Sequence, residues 1–194
     1  MFQKYRAVCD FAMCKADDFE YNQELKYQYH DWWYRRFTHM HLRVSDIISY
    51  SDVRISDEWY SFEKFYDDLL CIPNSTMLGW HMDKDLLSPK NSRVYSKDTV
   101  CFIPPQINQY LVKTNRIQKR GLLRGVRVTE GRYLCKYNLD KKVKSKMFNT
   151  EIEAFLYYRE KHNVELNKVV DEYEQLLPKS ICSLLRSYKI GFDS

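Results

Sequence analysis

Hydrophobic residues repeat along the chain with two different periods. Between Asn22 and about Ser51 they recur every three or four residues, which predicts an amphipathic helix. A second helix is predicted over Asp57–Leu70, and Pro73 breaks its pattern. We expect the apolar face of this second helix to form a core; its members are Trp59, Phe62, Phe65, Tyr66 and Leu69.

The middle of the chain predicts two strands and a helix in quick succession. A short strand ends within residues 82–85, and an irregular loop follows it. A second strand covers Thr99–Ile103, and a helix begins at Pro105. This strand–strand–helix order is the first pattern that points to a function.

The C-terminal half of the chain switches to a period of two. Three short strands are predicted between residues 124 and 148, with turns at Gly131 and at 138–142. Thr150 and Glu153 have the spacing of a capping box, which predicts the start of a helix. Further helices are predicted over 164–177 and from Pro178 to about residue 188.

These elements predict an α+β fold made of consecutive segments. They are an aromatic helical head (residues 1–75), a strand–strand–helix segment (76–112), a basic linker (113–123), a three-stranded sheet with a helix (124–163) and a helical tail (164–194). Residues 1–23 have no clear period, and no role is predicted for them.

Positive charge is concentrated in one part of the chain. Between Lys113 and Lys146 there are twelve basic residues and two acidic ones, a net charge of +10, whereas the whole chain carries only +5. The remainder is therefore acidic, at −5. A basic stretch of this kind is typical of a polyanion binder, and the alternative is a solvated basic hairpin.

Cysteine usage and hydropathy indicate an intracellular setting. The six cysteines include no Cys-x-x-Cys pair, which argues against a structural zinc site and against a disulfide framework. We find no signal-peptide pattern and no apolar run long enough to span a bilayer. We expect a cytoplasmic protein without a membrane partner, and one associated with the nucleoid if it binds DNA.

The strand–strand–helix segment resembles the ββα-metal finger of HNH nucleases. Its second strand and helix read Thr99-Val100-Cys101-Phe102-Ile103-Pro104-Pro105-Gln106-Ile107-Asn108. In this resemblance Asp83 and Asn108 take the two metal-binding positions, which implies Mg²⁺ or Mn²⁺ as the ion if the finger is active. Pro104 and Ile107 stand at the family's cysteine positions, so no structural zinc is expected.

The same resemblance places Lys84 where a catalytic base is needed. An unperturbed lysine has a pKa of about 10.4, roughly three units too high for this role, and the flanking aspartates favour its protonated form. His81 lies on the same strand face as Asp83 and is the other candidate base, although a structural histidine is the alternative. Thr99 replaces the family's orienting asparagine. The catalytic candidates are thus Lys84 and His81, in a centre that we expect to be degenerate.

The segment Gly125–His162 resembles an APETALA2-type DNA-binding domain. The matching features are Gly-Val-Arg at 125–127, Gly-Arg-Tyr at 131–133, a lysine-rich hairpin, and the residues Phe148, Thr150, Glu153 and Ala154. A finger followed by such a module is similar to bacteriophage proteins known as HNH or homing endonucleases. The residues that the resemblance and the charge pattern predict to contact DNA are Arg116, Lys119, Arg120, Arg124, Arg127, Arg132, Lys136, Lys141, Lys142, Lys144 and Lys146.

Three functions are compatible with these patterns. We expect a phage protein of the HNH endonuclease-like family that binds double-stranded DNA in the host cell and has a degenerate nuclease centre. The first alternative is an active divalent-metal-dependent nicking or homing endonuclease. The second is an interaction protein that inhibits a host or defence factor through acidic residues of the head, namely Asp57, Glu58, Glu63, Asp67 and Asp68.

Overall fold

The chain folds into two compact units, Met1–Pro105 and Gln106–Ser194. The computed structural model describes residues 19–88, 93–111, 121–140 and 142–192, without the side chains of 19–27 and 49. These residues form five α-helices and seven short strands in sheets of two or three strands, so the predicted α+β class is confirmed. None of the described helices is long and apolar enough to cross a membrane.

The described part of the first unit contains two α-helices and four three-residue strands. In chain order they are α1 (Phe19–Asp46), β1 (Val53–Ile55), α2 (Phe62–Leu70), β2 (His81–Asp83), β3 (Arg93–Tyr95) and β4 (Cys101–Ile103). Both helices predicted here are present with different limits. The second begins only at Phe62 because Ser61 caps it, its hydroxyl accepting a hydrogen bond from the backbone N–H of Lys64 at 3.3 Å.

The core of the first unit is aromatic, as the spacing of its residues predicts. The rings of Trp33 and Tyr66 meet edge to face at 4.9 Å between centroids, and those of Trp59 and Phe65 do the same at 4.9 Å. The Nε1–H of Trp59 donates to the carboxylate of Asp68 at 2.9 Å, so this buried donor is satisfied. These aromatic side chains therefore form a large part of the buried core of the first unit.

Two small sheets complete the first unit. β1 pairs in parallel with β3, aligning Val53 with Arg93, and β2 pairs antiparallel with β4. The sequence patterns did not predict β1 or β3. Strands of three residues have no periodicity of their own, and because the paired residues lie 40 positions apart, the pairing is formed by tertiary contacts.

In its described residues, the second unit joins a three-stranded sheet to three helices. Its elements are α3 (Pro105–Leu111, which begins one residue before the unit), β5 (Val126–Thr129), β6 (Arg132–Leu139), β7 (Lys142–Phe148), α4 (Glu151–Tyr173) and α5 (Lys179–Ser187). The sheet is antiparallel in the order β5–β6–β7. One of its faces packs on α4, where Val126, Cys135, Ala154 and Phe155 form a buried cluster.

Local sequence signals account for the turns and caps of the second unit. Glu130 and Gly131 both have positive φ, 51° and 73°, as a two-residue hairpin turn of type I′ requires. The capping box is confirmed, because Thr150 and Glu153 each accept a hydrogen bond from the backbone N–H of the other.

The helical region after the sheet differs from the prediction at one point. The two predicted helices that meet near residue 163 are one continuous helix, α4, which ends at Tyr173 rather than at 177. Apolar residues on both sides of the expected break, among them Phe155, Leu166 and Val170, are buried, so packing keeps the helix continuous. The short helix predicted after Pro178 is confirmed as α5.

Candidate nucleic-acid interface and the finger strands

The two strands and the helix predicted for this segment are present as β2, β4 and α3, but the strand β3 lies within the stretch that was predicted to be an irregular loop. In the finger strands, β2 and β4, Asp83 lies opposite Cys101 and His81 lies opposite Ile103. The helix α3 follows β4 after one residue and carries Asn108. Of the two predicted metal ligands, Asp83 belongs to the first unit and Asn108 to the second.

Asp83 is a buried carboxylate that closes the loop after β2. Its Oδ1 accepts hydrogen bonds from the backbone N–H groups of Asp85 and Leu86 at 3.1 and 2.9 Å. Burial raises the pKa of Asp83, an effect that these amides and the charge of Lys84 oppose. The side chain thus acts as the acceptor of an Asx-type turn.

These surroundings do not fit a divalent ion. Mg²⁺ and Mn²⁺ prefer several oxygen ligands around one point, whereas one oxygen of Asp83 is already engaged by two amides beside an ammonium group. Among the residues that the structure describes, no group of three or more His, Cys, Asp or Glu side chains could hold a metal ion.

Lys84 is buried and makes the contacts of a structural cation. Its side chain is 3% exposed, and its Nζ donates to Oδ1 of Asp85 at 2.8 Å. The same ammonium lies 5.2 and 5.5 Å from the ring centroids of Tyr50 and Tyr95. A carboxylate and two aromatic faces stabilise a charged ammonium group. The amino group of Lys84 is therefore engaged by a carboxylate and two rings at the position where the resemblance implies a proton acceptor.

Arg93 extends this ion-pair network. Its Nε donates to Oδ1 of Asp85 at 3.2 Å, and its Nη1 donates to Oδ1 of Asp52 at 2.7 Å. Its guanidinium also lies 5.8 Å from the ring centroid of Tyr50. The network connects the loop after β2 with β3 and with the residue before β1, and we call Lys84, Asp85, Arg93 and Asp52 the lysine network.

His81, the second candidate base, is exposed at the start of β2. Partial burial and the positive charges of Arg36 and Arg43 lower its pKa. A neutral imidazole could accept a proton, but Asp83 is buried two residues away and is bonded to the loop amides. The role of His81 stays a prediction.

Thr99, which takes the place of the family's orienting asparagine, has a local structural role. Its hydroxyl donates to the carbonyl of Val94 at 2.6 Å and accepts a hydrogen bond from the backbone N–H of Ser96 at 3.0 Å. These bonds close the turn between β3 and β4. The hydroxyl of Thr99 is therefore hydrogen-bonded to backbone groups of its own loop.

The sheet of the second unit places three predicted DNA-binding residues on one surface. Arg127 aligns with Leu134 across the β5–β6 pair, and Arg132 and Lys136 lie two residues on either side of Leu134. Because residues two apart in a strand share a face, all three side chains lie opposite the face that packs on α4. We call this surface the open face; its members are Arg127, Thr129, Arg132, Leu134, Lys136, Asn138, Val143, Ser145 and Met147.

The open face is positively charged and accessible. Arg127, Arg132 and Lys136 are exposed, and none of them makes an ion pair with another described residue. Four residues of strand separate Arg132 from Lys136, about 13 Å, comparable with the roughly 12 Å width of the DNA major groove. The surface therefore presents cations at a spacing suited to a duplex.

The predicted lysines of β7 lie on the other side of the sheet. Lys142, Lys144 and Lys146 align with Leu139, Tyr137 and Cys135, whose side chains face α4. All three lysines are exposed along this edge strand, and the ammonium of Lys146 lies 4.6 Å from the ring centroid of Tyr157. They flank the open face rather than belong to it.

One predicted DNA-contacting residue is buried, which corrects the sequence prediction. Arg124 is 8% exposed, and its Nη1 makes no hydrogen bond to any described residue. Its burial beside α4 removes it from the surface that DNA could reach. The surrounding run of basic residues in the sequence did not predict that Arg124 is buried. The predictions for Arg116, Lys119, Arg120 and Lys141 lie outside the described residues.

The acidic residues of the head do not all lie on its surface. Asp57, Glu58, Glu63 and Asp67 are exposed, but Asp68 is 4% exposed and bonds to Trp59. Lys64 and Lys97 also lie within 3.5 and 3.7 Å of the Asp68 carboxylate. Asp68 is therefore a structural residue and not part of a protein-binding surface.

A pocket in the second unit was not predicted from the sequence. It has a volume of about 250 Å³ and lies where β6 extends beyond β5, next to Tyr158 and His162 of α4. The i, i+4 spacing of these two aromatic residues is the only sequence signal for it.

Comparisons with known proteins add no identification. The chain matches no known family model, and no curated protein and no solved structure is significantly similar to it.

Proposed function

We propose that this protein binds double-stranded DNA through the open face of its second unit and does not cleave it. The observation that supports the proposal best is the shared orientation of Arg127, Arg132 and Lys136, which are exposed and not neutralised by described carboxylates. A sheet of this size can enter the major groove, where arginine recognises guanine and lysine contacts phosphate. The concentration of charge between residues 113 and 146 supports the same conclusion.

The flanking lysines have a second role in this proposal. Lys142, Lys144 and Lys146 are exposed on the edge strand, so they would contact the DNA backbone beside the groove. Phosphate contacts of this kind position a protein on DNA without recognising the DNA sequence. The open face is expected to provide the sequence preference, and the edge lysines are expected to add general affinity.

The proposal that the protein does not cleave DNA rests on the lysine network and on the contacts of Asp83. The buried ammonium of Lys84 is bonded to Asp85, and the carboxylate of Asp83 serves the loop amides. Phosphodiester hydrolysis needs a base that can accept a proton and a group that stabilises the developing charge. The described side chains around Asp83 are arranged to maintain the loop and not to provide these functions.

Duplex binding tests the first part of the proposal. Replacing Arg127, Arg132 and Lys136 with alanine should weaken binding to a duplex at low salt by about a hundredfold or more. A matched control replaces the exposed Arg35, Arg54 and Lys179, which removes the same charge from other surfaces. Fluorescence anisotropy with a labelled duplex measures both. Equal affinity of the two triple variants would contradict the proposed interface.

Incubation with supercoiled plasmid and Mn²⁺ tests the second part. The wild-type protein should leave the plasmid intact, and Asp83→Ala should behave in the same way. Agarose electrophoresis over several hours provides the measurement. Nicking by the wild-type protein that disappears in Asp83→Ala would establish the active-endonuclease alternative.

A further inference from the structure

The pocket of the second unit lies at the boundary of the open face. It is lined by Lys136, Asn138 and Val143, which belong to that face, and by Tyr158, His162 and Glu165 of α4. Tyr110 of α3 and Tyr137 of β6 complete its walls. A volume of about 250 Å³ is slightly below the roughly 300–1,000 Å³ of typical small-molecule sites. It suits one ring system and not a larger ligand.

The pocket walls are aromatic and held in place by packing. The ring of His162 lies 5.1 Å from that of Tyr110 at an angle of 70°, and 5.9 Å from that of Tyr158. The ring of Tyr158 also packs against Gly125, where any side chain would collide with it. The positive φ of 78° at Gly125 adds to this requirement for glycine. The aromatic surfaces are therefore formed before any ligand binds.

The side chains that line the inner end of the pocket, His162 and Glu165, carry little free charge. Burial lowers the pKa of His162 to about 4, and the nearby Arg124 contributes to this lowering, so the imidazole is neutral at physiological pH. Glu165 is paired with Lys168, whose Nζ lies 2.7 Å from its Oε1. Lys136, in contrast, is exposed, so its positive charge lies on the solvent side.

This distribution selects among ligand classes. A phosphate alone would enter a pocket that contains a carboxylate and a neutral imidazole, and a cation would meet Lys136. A planar neutral ring can stack on tyrosine and hydrogen-bond to Asn138 or Glu165, while an attached phosphate contacts Lys136. Nucleobases have these properties, and they stack on aromatic side chains in many proteins.

We propose that the pocket binds a single nucleobase, with the phosphate of the same nucleotide at Lys136. The proposal rests on the proposed function, because Lys136 belongs to both the open face and the pocket. The base comes either from a free nucleotide or from an unpaired position in DNA. Both sources present the same ring and phosphate.

Blocking the pocket tests this proposal with the full-length protein. Val143 is 62% exposed on β7, so Val143→Trp can fold normally while its side chain obstructs the pocket. Val128→Trp is the matched control, because Val128 is 55% exposed on the other edge strand and does not line the pocket. Calorimetric titration with each of the four deoxynucleoside monophosphates, and with inorganic phosphate, provides the readout.

The expected result is saturable binding of at least one mononucleotide that inorganic phosphate does not match. Val143→Trp should weaken this binding at least tenfold, and Val128→Trp should not change it. A second variant, Tyr110→Leu, removes one stacking wall and should weaken binding in the same direction. Absence of nucleotide binding, equal affinity in Val143→Trp, or equal binding of inorganic phosphate would each overturn the proposal.

Two duplexes identify the source of the base and separate the two proposals. Tighter binding to a duplex with one unpaired base than to a fully paired one, with the difference abolished in Val143→Trp, assigns the pocket to DNA. Equal duplex binding, together with mononucleotide binding, assigns it to a free nucleotide. If the paired duplex binds but no nucleotide or unpaired base is recognised, the pocket proposal fails and DNA binding stands. If mononucleotides bind but the duplexes do not, the pocket proposal stands and DNA binding fails.

Discussion

Two regions of this protein combine cations with aromatic rings, and they differ in how the charge is neutralised. In the first unit, Lys84 is buried between Tyr50 and Tyr95 and bonded to Asp85, which also binds Arg93. On the open face of the second unit, Arg127, Arg132 and Lys136 are exposed and make no ion pair with described residues. The position of the counterion, more than the residue type, decides whether a basic side chain is available to DNA.

The buried imidazole of His162 in the second unit provides the largest expected effect on stability. The folded chain keeps His162 neutral down to a pH of about 4, whereas an unfolded histidine takes up a proton below about 6.5. Stability should therefore fall as the pH is lowered from 6.5 towards 4. The contribution of His162 to this loss is at most about 3 kcal/mol over the window.

Urea unfolding of the wild-type protein and of His162→Leu between pH 4 and 7 measures this contribution. The difference between their free energies of unfolding should change by up to about 3 kcal/mol over this range, in favour of the variant at low pH. His39→Leu, which removes an exposed imidazole from the first unit, is the control. A pH-independent difference between wild type and His162→Leu would contradict this account, because it would mean that His162 takes up its proton over the same pH range in the folded and the unfolded chain.

Removing the charge of Lys84 distinguishes a structural cation from a functional one. Lys84→Met should lower the free energy of unfolding by about 2 kcal/mol, less than the roughly 3–5 kcal/mol for breaking a fully buried pair. The expected loss of unfolding free energy is smaller than for a fully buried pair because Asp85 is 49% exposed and keeps its bond to Arg93. Chemical denaturation and duplex anisotropy on the same variant provide the measurement. Unchanged stability with a large loss of DNA binding would overturn the contrast between the two regions.

Neutralising the edge lysines should have the smallest effect. Replacing Lys142, Lys144 and Lys146 with alanine is expected to weaken duplex binding by about tenfold, because exposed phosphate contacts add general affinity. The loss should be similar for duplexes of different sequence, whereas the open-face triple variant should also lose sequence preference. Competition with a panel of duplexes measures both. A selective loss for one sequence would contradict this assignment, because it would mean that Lys142, Lys144 and Lys146 take part in sequence recognition.

Local signals predicted local structure in this chain. Thr150 and Glu153 form the expected capping box, and Gly131 lies in the expected hairpin turn, because each depends on neighbouring residues only. The strand register places Arg127, Arg132 and Lys136, which the resemblance predicted to contact DNA, on one face of the sheet. The sequence was therefore informative wherever one element determined the outcome.

Features that depend on tertiary contacts were not predicted. The parallel pairing of β1 with β3 leaves no periodic pattern in strands of three residues. Arg124 lies in a basic run that looks exposed, yet its guanidinium is buried near His162. The interactions that place Lys84 between two tyrosines come from Tyr50 and Tyr95, which lie 34 and 11 residues away from it in the sequence. Such interactions form only in the folded chain.

The salt dependence of duplex binding tests the central claim most directly. For the wild-type protein the logarithm of the association constant should fall linearly with the logarithm of the salt concentration. Replacing Arg127, Arg132 and Lys136 with alanine should reduce this slope by up to about 2.7, because each phosphate that the protein neutralises adds about 0.9 to it. The control triple variant at Arg35, Arg54 and Lys179 should keep the wild-type slope. An unchanged slope in the open-face variant, or the same reduction in the control, would contradict the account.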